Sequence, residues 1–430
     1  MSDLKELSLL LKEIEDQLSD CMKCGMCQAV CPVFAQTGNE GDVARGKIFL
    51  LERLGDQLLN DARGAKERIE KCLMCGTCGA NCPSGVKILE IFLKARAALT
   101  EYLGLSPLKK LIFRGMLKNP KRFNSMIDMA SKLQGFGTCS ANLYQGTNCT
   151  RVLSGLIGNR HFKPLSRKPF HKIQKQLDTS PGRSGLKVAF FPGCVTDKIN
   201  PEIGEAALKA FAYHGVGVFM PPDQACCGMP ALASGDRATF QNLLDHNAAL
   251  FGSRDFDYII TPCATCTNTI KEVWPMMVKQ KSKSFVTVKA LTEKTMDISQ
   301  FLVDVLKVSP AEDGGEIKKR ITCHDPCHLG KALKVYSQPR GLIAANPQCE
   351  LVEMNEADYC CGNGGSFNLQ NYELSCDIGM RKRNNIVATG ADIVATSCPA
   401  CMMQMTDMLS RNNDRVRVKH VIEIYADALE

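Results

Sequence analysis

Two adjacent cysteines followed by glycine place a severe constraint on a chain, and here they occur twice, at Cys226-Cys227-Gly228 and Cys360-Cys361-Gly362. Neighbouring side chains cannot both turn onto one small tetrahedral ion without strain, but they readily reach two different irons of a cluster. Each pair has companions. Cys194 precedes the first and Cys263-Ala-Thr-Cys266 follows it; Cys327 precedes the second and Cys398-Pro-Ala-Cys401 follows it. The single cysteine stands 32 positions ahead of its pair in one copy and 33 in the other, and the pair stands 36 and 37 ahead of Cys-x-x-Cys. Five cysteines kept in register over so long a repeat describe one structural unit used twice. Five thiolates exceed the four ligands of a structural zinc, and soft sulfur in that number suits iron–sulfur chemistry. A zinc site or buried structural cysteines is the plainer alternative.

A second repeat lies near the start. Cys21-x2-Cys24-x2-Cys27-x3-Cys31-Pro32 returns as Cys72-x2-Cys75-x2-Cys78-x3-Cys82-Pro83, the bacterial ferredoxin run. In two-cluster ferredoxins the last cysteine of each run serves the other cluster. The spacing therefore assigns Cys21, Cys24, Cys27 and Cys82 to one [4Fe–4S] cube, and Cys72, Cys75, Cys78 and Cys31 to the other. Zinc knuckles are the alternative at this spacing. Between the runs, Val43, Ile48, Phe49, Leu51, Leu54, Leu58 and Leu59 recur on one helical face. A helical module is expected, not the small two-sheet ferredoxin.

The copies of the longer repeat read as α/β. Lys187–Phe191, Gly217–Met220 and Asp257–Thr261 read as strands, with helices over 201–214 and 237–252 between them. Arg320–Cys323, Glu350–Glu353 and Asp392–Thr396 repeat the plan. Strand and helix in alternation argue a parallel sheet, and each cysteine group follows a strand's C-terminal end, where open α/β sheets bind ligands. Cys194, Cys226, Cys227, Cys263 and Cys266 thus form one cofactor-binding set, and Cys327, Cys360, Cys361, Cys398 and Cys401 the other. Cys323-His324-Asp-Pro-Cys327-His328 could pass for a zinc pair, but only Cys327 keeps the register with Cys194. His324 and His328 are read either as hydrogen-bond donors or proton handlers beside a cluster, or as structural residues. Burial as small apolar side chains is the expectation for Cys349 and Cys376, and Cys139 and Cys149 have no cluster spacing.

The expected organisation is an α+β multidomain chain. A helical two-cluster ferredoxin domain (1–100) leads to a basic, largely helical connector (101–186). Two pseudo-symmetric α/β Cys-Cys-Gly domains with parallel sheets follow (187–310 and 311–430). From Lys109 to Arg183 there are fifteen Lys or Arg against two acids, a local net of +13 in a chain whose total is +8. This is either a solvated helical face or a docking surface for an acidic partner or anionic headgroups. Gly135, Gly137, Gly146 and Gly155 mark part of it as loop. No nucleic-acid-binding motif accompanies the charge. An apolar content of 45% with 23% charged residues is that of a globular protein, and 18 of 23 cysteines in regular clusters imply metal in a reducing compartment. The first residues read as an amphipathic helix, not a signal peptide, and no apolar stretch is long enough to span a membrane. No Gly-x-Gly-x-x-Gly follows a strand, so flavin or nicotinamide is expected on another chain.

The chain resembles the iron–sulfur subunits of glycolate oxidase and D-lactate dehydrogenase complexes and the related heterodisulfide reductase catalytic subunits. The resemblance rests on two ferredoxin runs with paired Cys-Cys-Gly repeats, on Ala44-Arg45-Gly46-Lys47-Ile48, and on Cys82-Pro-Ser-Gly-Val86. It implies an electron-transfer subunit carrying two cubanes and one or two further [4Fe–4S] clusters. It would take electrons from a partner FAD subunit and pass them toward a membrane cytochrome or quinone. The implied place is cytoplasmic, at the inner face of the membrane. The complete five-cysteine sets are similar to those holding non-cubane clusters in heterodisulfide reductases, which implies a thiol–disulfide reductase as the second reading.

Overall fold

The computed structural model of the chain describes residues 4–150, 159–311 and 319–429. Gly155, and residues 312–318 near the start of the fourth expected segment, lie outside them. Two compact units emerge. The first comprises Met1–Lys118, Gly228–Asn242 and Gly362–Ile378; the second comprises Asn119–Cys227, Leu243–Cys361 and Gly379–Glu430. The chain thus leaves the second unit at the glycine of each Cys-Cys-Gly and returns within the helix that follows.

The first unit is helical. Its central helix, Ile88–Leu103, places Ile91, Phe92, Ala95 and Leu99 on a buried face, each large side chain contributing roughly 1.5–3 kcal/mol on burial. Val43, Ile48, Leu51 and Leu54 of the inter-run segment are buried with it. Phe49 and Leu58 are not. Phe49 turns outward beneath Lys23 and Arg53, and Leu58 falls beyond the end of the Ala44–Gly55 helix, where the helical period no longer applies. Residues 228–242 are strapped to this helix: Arg96 donates to the Ala233 carbonyl at 2.7 Å and Arg114 pairs with Asp236 at 3.2 Å. Gly235, at φ +85°, lies so close that a Cβ there would sit 2.1 Å from Thr100 Oγ1. Residues 362–378 pack by Gly364, whose Cβ would meet Leu73 at 2.8 Å.

Among its described residues the second unit contains a two-stranded hairpin and two larger sheets. Strands β1 (Thr138–Asn142) and β2 (Thr147–Thr150) first make a hairpin, in which Cys139 faces Cys149 across the ladder and is disulfide-bonded to it. The first sheet has the order β3-β5-β4-β6-β7, from β3 (Leu177–Asp178), β4 (Lys187–Phe190), β5 (Gly217–Met220), β6 (Tyr258–Thr261) and β7 (Thr295–Asp297). The second has the order β11-β10-β8-β9, from β8 (Lys319–His324), β9 (Cys349–Leu351), β10 (Ile393–Thr396) and β11 (Arg417–His420). All pairings are parallel except β3 with β5, an antiparallel edge. Strands 4, 5, 6 and 7 therefore correspond to 8, 9, 10 and 11. The central strands are continuous buried runs, as helices on both faces require. One apolar core holds Phe190, Phe211 and Phe301 of the first half with Ile321, Leu342 and Tyr425 of the second.

The basic segment folds as short helices, the helix Pro120–Gly137 and the hairpin. Much of its charge is met by acids: Lys109 pairs with Glu70, Arg114 with Asp236, Lys121 with Asp223, Lys163 with Glu202, and Lys172 with Asp128.

Candidate metal centres

In the first unit the ferredoxin cysteines converge on two cavities. Cys21, Cys24, Cys27, Cys78 and Cys82 line one, and Cys31, Cys72, Cys75 and Cys78 line the other, so Cys78 borders both. The fourth cysteine of each run thus stands with the first three of the other. Within each run the chain curls through a left-handed residue and a left-handed glycine, Lys23 with Gly25 and Met74 with Gly76. Pro32 then opens a helix at its first position, with Cys31 extended before it. Burial pushes the Cys31 thiol up to about 11 and raises Cys78 strongly, since a thiolate is poorly solvated there. A bound cationic metal reverses that preference.

Two buried cations brace the second cavity. The Lys47 ammonium donates to the Asp42 and Lys71 carbonyls; burial lowers its pKa while the Cys72 and Cys31 charges oppose the shift. Arg96, fully buried, donates from Nη2 to the carbonyls of Ile69 at 2.9 Å, Glu70 at 3.2 Å and Cys72 at 2.9 Å, holding the entry to the second run. Between Arg45 and Lys47, only glycine fits at position 46, because a Cβ would lie 2.0 Å from the Glu40 carbonyl oxygen. Sequence reading names Lys47 only as part of a motif and misses Arg96, since nothing local marks a buried arginine.

In the second unit each sheet delivers its cysteines past the ends of its strands. In the first half, Cys194 Sγ lies 3.9 Å from Cys226 Sγ. Side-chain contacts continue from Cys226 to Cys227, to Cys266, and to Cys263. In the second half they run from Cys398 to Cys401, to Cys361, and to Cys360. Cys263 meets Cys398, so the two rows join. The seam is tied by Ala264 N–H donating to the Ser397 carbonyl at 3.0 Å and His420 Nε2 donating to the Pro262 carbonyl at 2.8 Å. All eight cysteines of the pairs and the Cys-x-x-Cys motifs are buried; Cys194 and Cys327 are partly exposed. Gly193, at φ +82°, leaves 3.0 Å from a would-be Cβ to Cys266 Sγ.

The surroundings of the halves differ. Trp274 Nε1 donates to the Cys227 carbonyl at 2.9 Å, and Asn247, fully buried, accepts from Ala225 N–H at 3.0 Å and donates to the Cys226 carbonyl at 3.0 Å. In the second half Lys382, also buried, donates to the carbonyls of Glu356 at 2.6 Å and Ala357 at 3.1 Å. Burial lowers its pKa, opposed by charge on Cys327, Cys361 and Cys360. His324 comes together with Cys361 and Cys401, their ligand atoms within 4.8 Å of one another. His328 Nδ1 lies 3.2 Å from Thr265 Oγ1, which in turn lies 3.7 Å from Cys398 Sγ. Cys323 is buried in β8, its thiol pushed up to about 12; Cys349 and Cys376 are half-buried on β9 and on the helix Tyr372–Ala388. At least four soft donors per cavity in the first unit and five in each half of the second fit iron–sulfur clusters. They exceed what zinc would use in the second unit.

The family model for the 4Fe-4S dicluster domain matches residues 17–86, and that for the cysteine-rich CCG domain matches residues 188–271 and again 321–406. Over 99% of its length the chain is 28% identical to a probable glycolate oxidase iron–sulfur subunit of Bacillus subtilis, covering 98% of that protein. It is 30% identical to lactate utilization protein A of Shouchella clausii, across 56% of this chain and 98% of that one. The chain belongs to this family of iron–sulfur subunits. A further relative is a dihydromethanophenazine:CoB–CoM heterodisulfide reductase subunit of Methanosarcina barkeri, 24% identical over 96% of this chain and 94% of that one. Among solved structures, a hypothetical protein from Helicobacter pylori shares the fold at a TM-score of 0.53 and 11% identity, covering all of this chain and 77% of that one. Family membership makes the chain an iron–sulfur protein with 4Fe–4S clusters, homologous to oxidoreductase subunits. Among the described residues no helix is long and apolar enough to cross a membrane.

Proposed function

We propose that this chain is the electron-transfer subunit of a D-lactate or glycolate dehydrogenase complex. It takes electrons from a partner FAD subunit and passes them toward the membrane quinone or cytochrome pool. The supporting observation is the continuous row of buried sulfurs from Cys226 to Cys263 and from Cys398 to Cys360. A relay needs redox groups close together and away from water, whereas a substrate-binding centre needs an open face. Under this reading Cys21, Cys24, Cys27 and Cys82 hold one cubane, and Cys72, Cys75, Cys78 and Cys31 the other. Cys194, Cys226, Cys227, Cys263 and Cys266 hold a third cluster, non-cubane in type, and Cys327, Cys360, Cys361, Cys398 and Cys401 a fourth. Bound clusters supply one-electron chemistry that no side chain here offers. The protein contributes buried cations, Lys47 and Lys382, that offset negative charge, and carbonyl anchors such as Arg96 that hold the ligand loops in place.

The test is reconstitution. The purified chain alone should not oxidise lactate or glycolate, and its cubane paramagnetic signals should respond to either acid only once the flavoprotein partner is added. Oxidation of either acid by the chain alone would overturn the proposal. The partly exposed Cys327 and His328 favour one second reading, a disulfide reductase active at the second Cys-Cys-Gly site. A paramagnetic species that forms only when a thiol is added to the oxidised protein would select it.

A further inference from the structure

The second Cys-Cys-Gly site contains a donor that is not sulfur. His324 is fully buried at the end of β8. Its Nδ1 lies 3.0 Å from the carbonyl oxygen of Ala357. A carbonyl oxygen only accepts, so Nδ1 carries a proton, and the tautomer this fixes for a neutral ring has its lone pair at Nε2. The same carbonyl accepts from Asp325 N–H at 3.0 Å and Lys382 Nζ at 3.1 Å, so the ring's partner is itself held in place. Nε2 is buried with no oxygen or nitrogen partner among the described residues, and the side chain that His324 meets is that of Cys361. One ring nitrogen lies within 4.8 Å of the Cys361 and Cys401 sulfurs, and because Nδ1 is committed to the carbonyl we assign that place to Nε2. A buried imidazole with one nitrogen tied to a backbone carbonyl and the other aimed at two thiols has the preparation of a metal ligand. A thiol is a weak hydrogen-bond partner, so a buried nitrogen set against two of them gains little from the contact unless it binds metal.

The first half offers no equivalent. Phe191 stands three residues before Cys194 as His324 stands three before Cys327, and Phe191 is just as buried. The repeat has placed a hydrocarbon ring at one site and a nitrogen donor at the other.

We propose that His324 Nε2 is an iron ligand at the second Cys-Cys-Gly site, making it a mixed nitrogen–sulfur centre beside an all-sulfur one. This rests on the reading that the second cysteine set holds an iron–sulfur cluster. Such ligation adds a neutral nitrogen donor to one thiolate set and not to the other, which gives the two clusters different electronic character.

The experiment is pulsed electron paramagnetic resonance on the anaerobically purified full chain through a redox titration, with histidine in natural-abundance and ¹⁵N-labelled form. The expected result is one strongly coupled nitrogen on a cluster whose signal disappears in Cys361→Ala. Its pattern should change with the label, persist in His328→Ala, and vanish in His324→Phe. The labelling comparison uses the native chain, so it stands even if a variant at 324 fails to fold. A Cys361-dependent cluster signal without a strongly coupled histidine nitrogen would overturn the ligand assignment alone. If Cys361→Ala removes neither iron nor any signal, the cluster reading falls and the assignment with it.

Discussion

The two Cys-Cys-Gly halves share a strand order and a cysteine register, yet they solve the same problem with different chemistry. Around its cysteine pair the first uses neutral groups, its buried cation Lys198 lying instead beside Cys194 and paired with Asp197. Phe191 fills the place ahead of its single cysteine, Asn247 holds the loop before the pair, and Trp274 clamps the Cys227 carbonyl. The second is polar and charged. His324 replaces Phe191, Lys382 stands sixteen residues before Cys398 where Asn247 stands sixteen before Cys263, and Leu409 occupies the position of Trp274. A duplicated frame tolerates such divergence because the strands and cysteines fix the site's position, while a few buried side chains set its electrostatics. The first half holds the loop of its pair by side-chain amide and indole hydrogen bonds, the second by an ammonium that also compensates sulfur's negative charge.

Substitutions in matched positions test how far the two halves differ. The largest effect is expected from the cysteine pairs. Cys227→Ala and Cys361→Ala should each remove about four irons per chain, one cluster's complement, without emptying the other half, as measured by iron and sulfide analysis. Loss of both clusters from one substitution would show that the halves are a single cofactor site.

The next effect concerns the ends of the fourth strands, where Asp297 and His420 each cap the following helix. Burial pushes the Asp297 carboxyl up to about 7 and the His420 imidazole down to about 4. Both therefore favour their neutral forms, with opposite consequences. Between roughly pH 4 and 7 the unfolded chain releases the Asp297 proton and the folded chain keeps it, so this residue costs stability as pH rises. Between roughly pH 6.5 and 4 the unfolded chain protonates His420 and the folded chain does not, so this residue costs stability as pH falls. Asp297→Asn should raise stability near pH 8 by on the order of 2–4 kcal/mol and leave only the acid-side loss. Denaturant titrations across that range read it directly.

A smaller effect should separate Lys382 from Asn247. Lys382→Met removes a cation near anionic sulfur and should lower the second cluster's potential by roughly 50–100 mV, while Asn247→Met should leave the first cluster's potential nearly unchanged. Both should be destabilising, because each strips carbonyl oxygens of buried partners. Equal potential shifts would erase the distinction drawn here. The smallest effect is expected from Trp274→Phe, which keeps most of the packing and loses the bond to the Cys227 carbonyl. A loss of about 1–2 kcal/mol is expected, with perturbation confined to first-half spectra.

The parts of this architecture that follow from local spacing were legible. Cysteine intervals marked the repeats, and strands such as Gly217–Met220 occur where the apolar runs place them. The fourth strands β7 and β11 were not foreseen, because Thr295–Asp297 and Arg417–His420 are short and polar and gain their identity from neighbours in the sheet. Phe49 and Leu58 fit a helical period but do not face the core. Cys139 and Cys149 carry no spacing signal; the hairpin alone brings them together. Arg96, Lys382 and the orientation of His324 were invisible for a common reason. A buried polar side chain is placed by carbonyls distant in sequence, here Ala233 for Arg96 and Ala357 for Lys382 and His324.

The excursion of the chain at each Cys-Cys-Gly glycine also bears on biosynthesis. The helical unit needs residues 362–378 for its completion, although its cysteine runs end at Cys82. On a ribosome adding about 5–20 residues per second, that unit waits tens of seconds between the emergence of its last ferredoxin cysteine and the arrival of its final segment. For that interval the nascent chain holds exposed thiols on an unfinished scaffold. Delivery of iron and sulfide to the nascent chain therefore comes under kinetic pressure from oxidation and from scavenging metals, and a stop codon anywhere before residue 362 would leave the helical unit without its final segment.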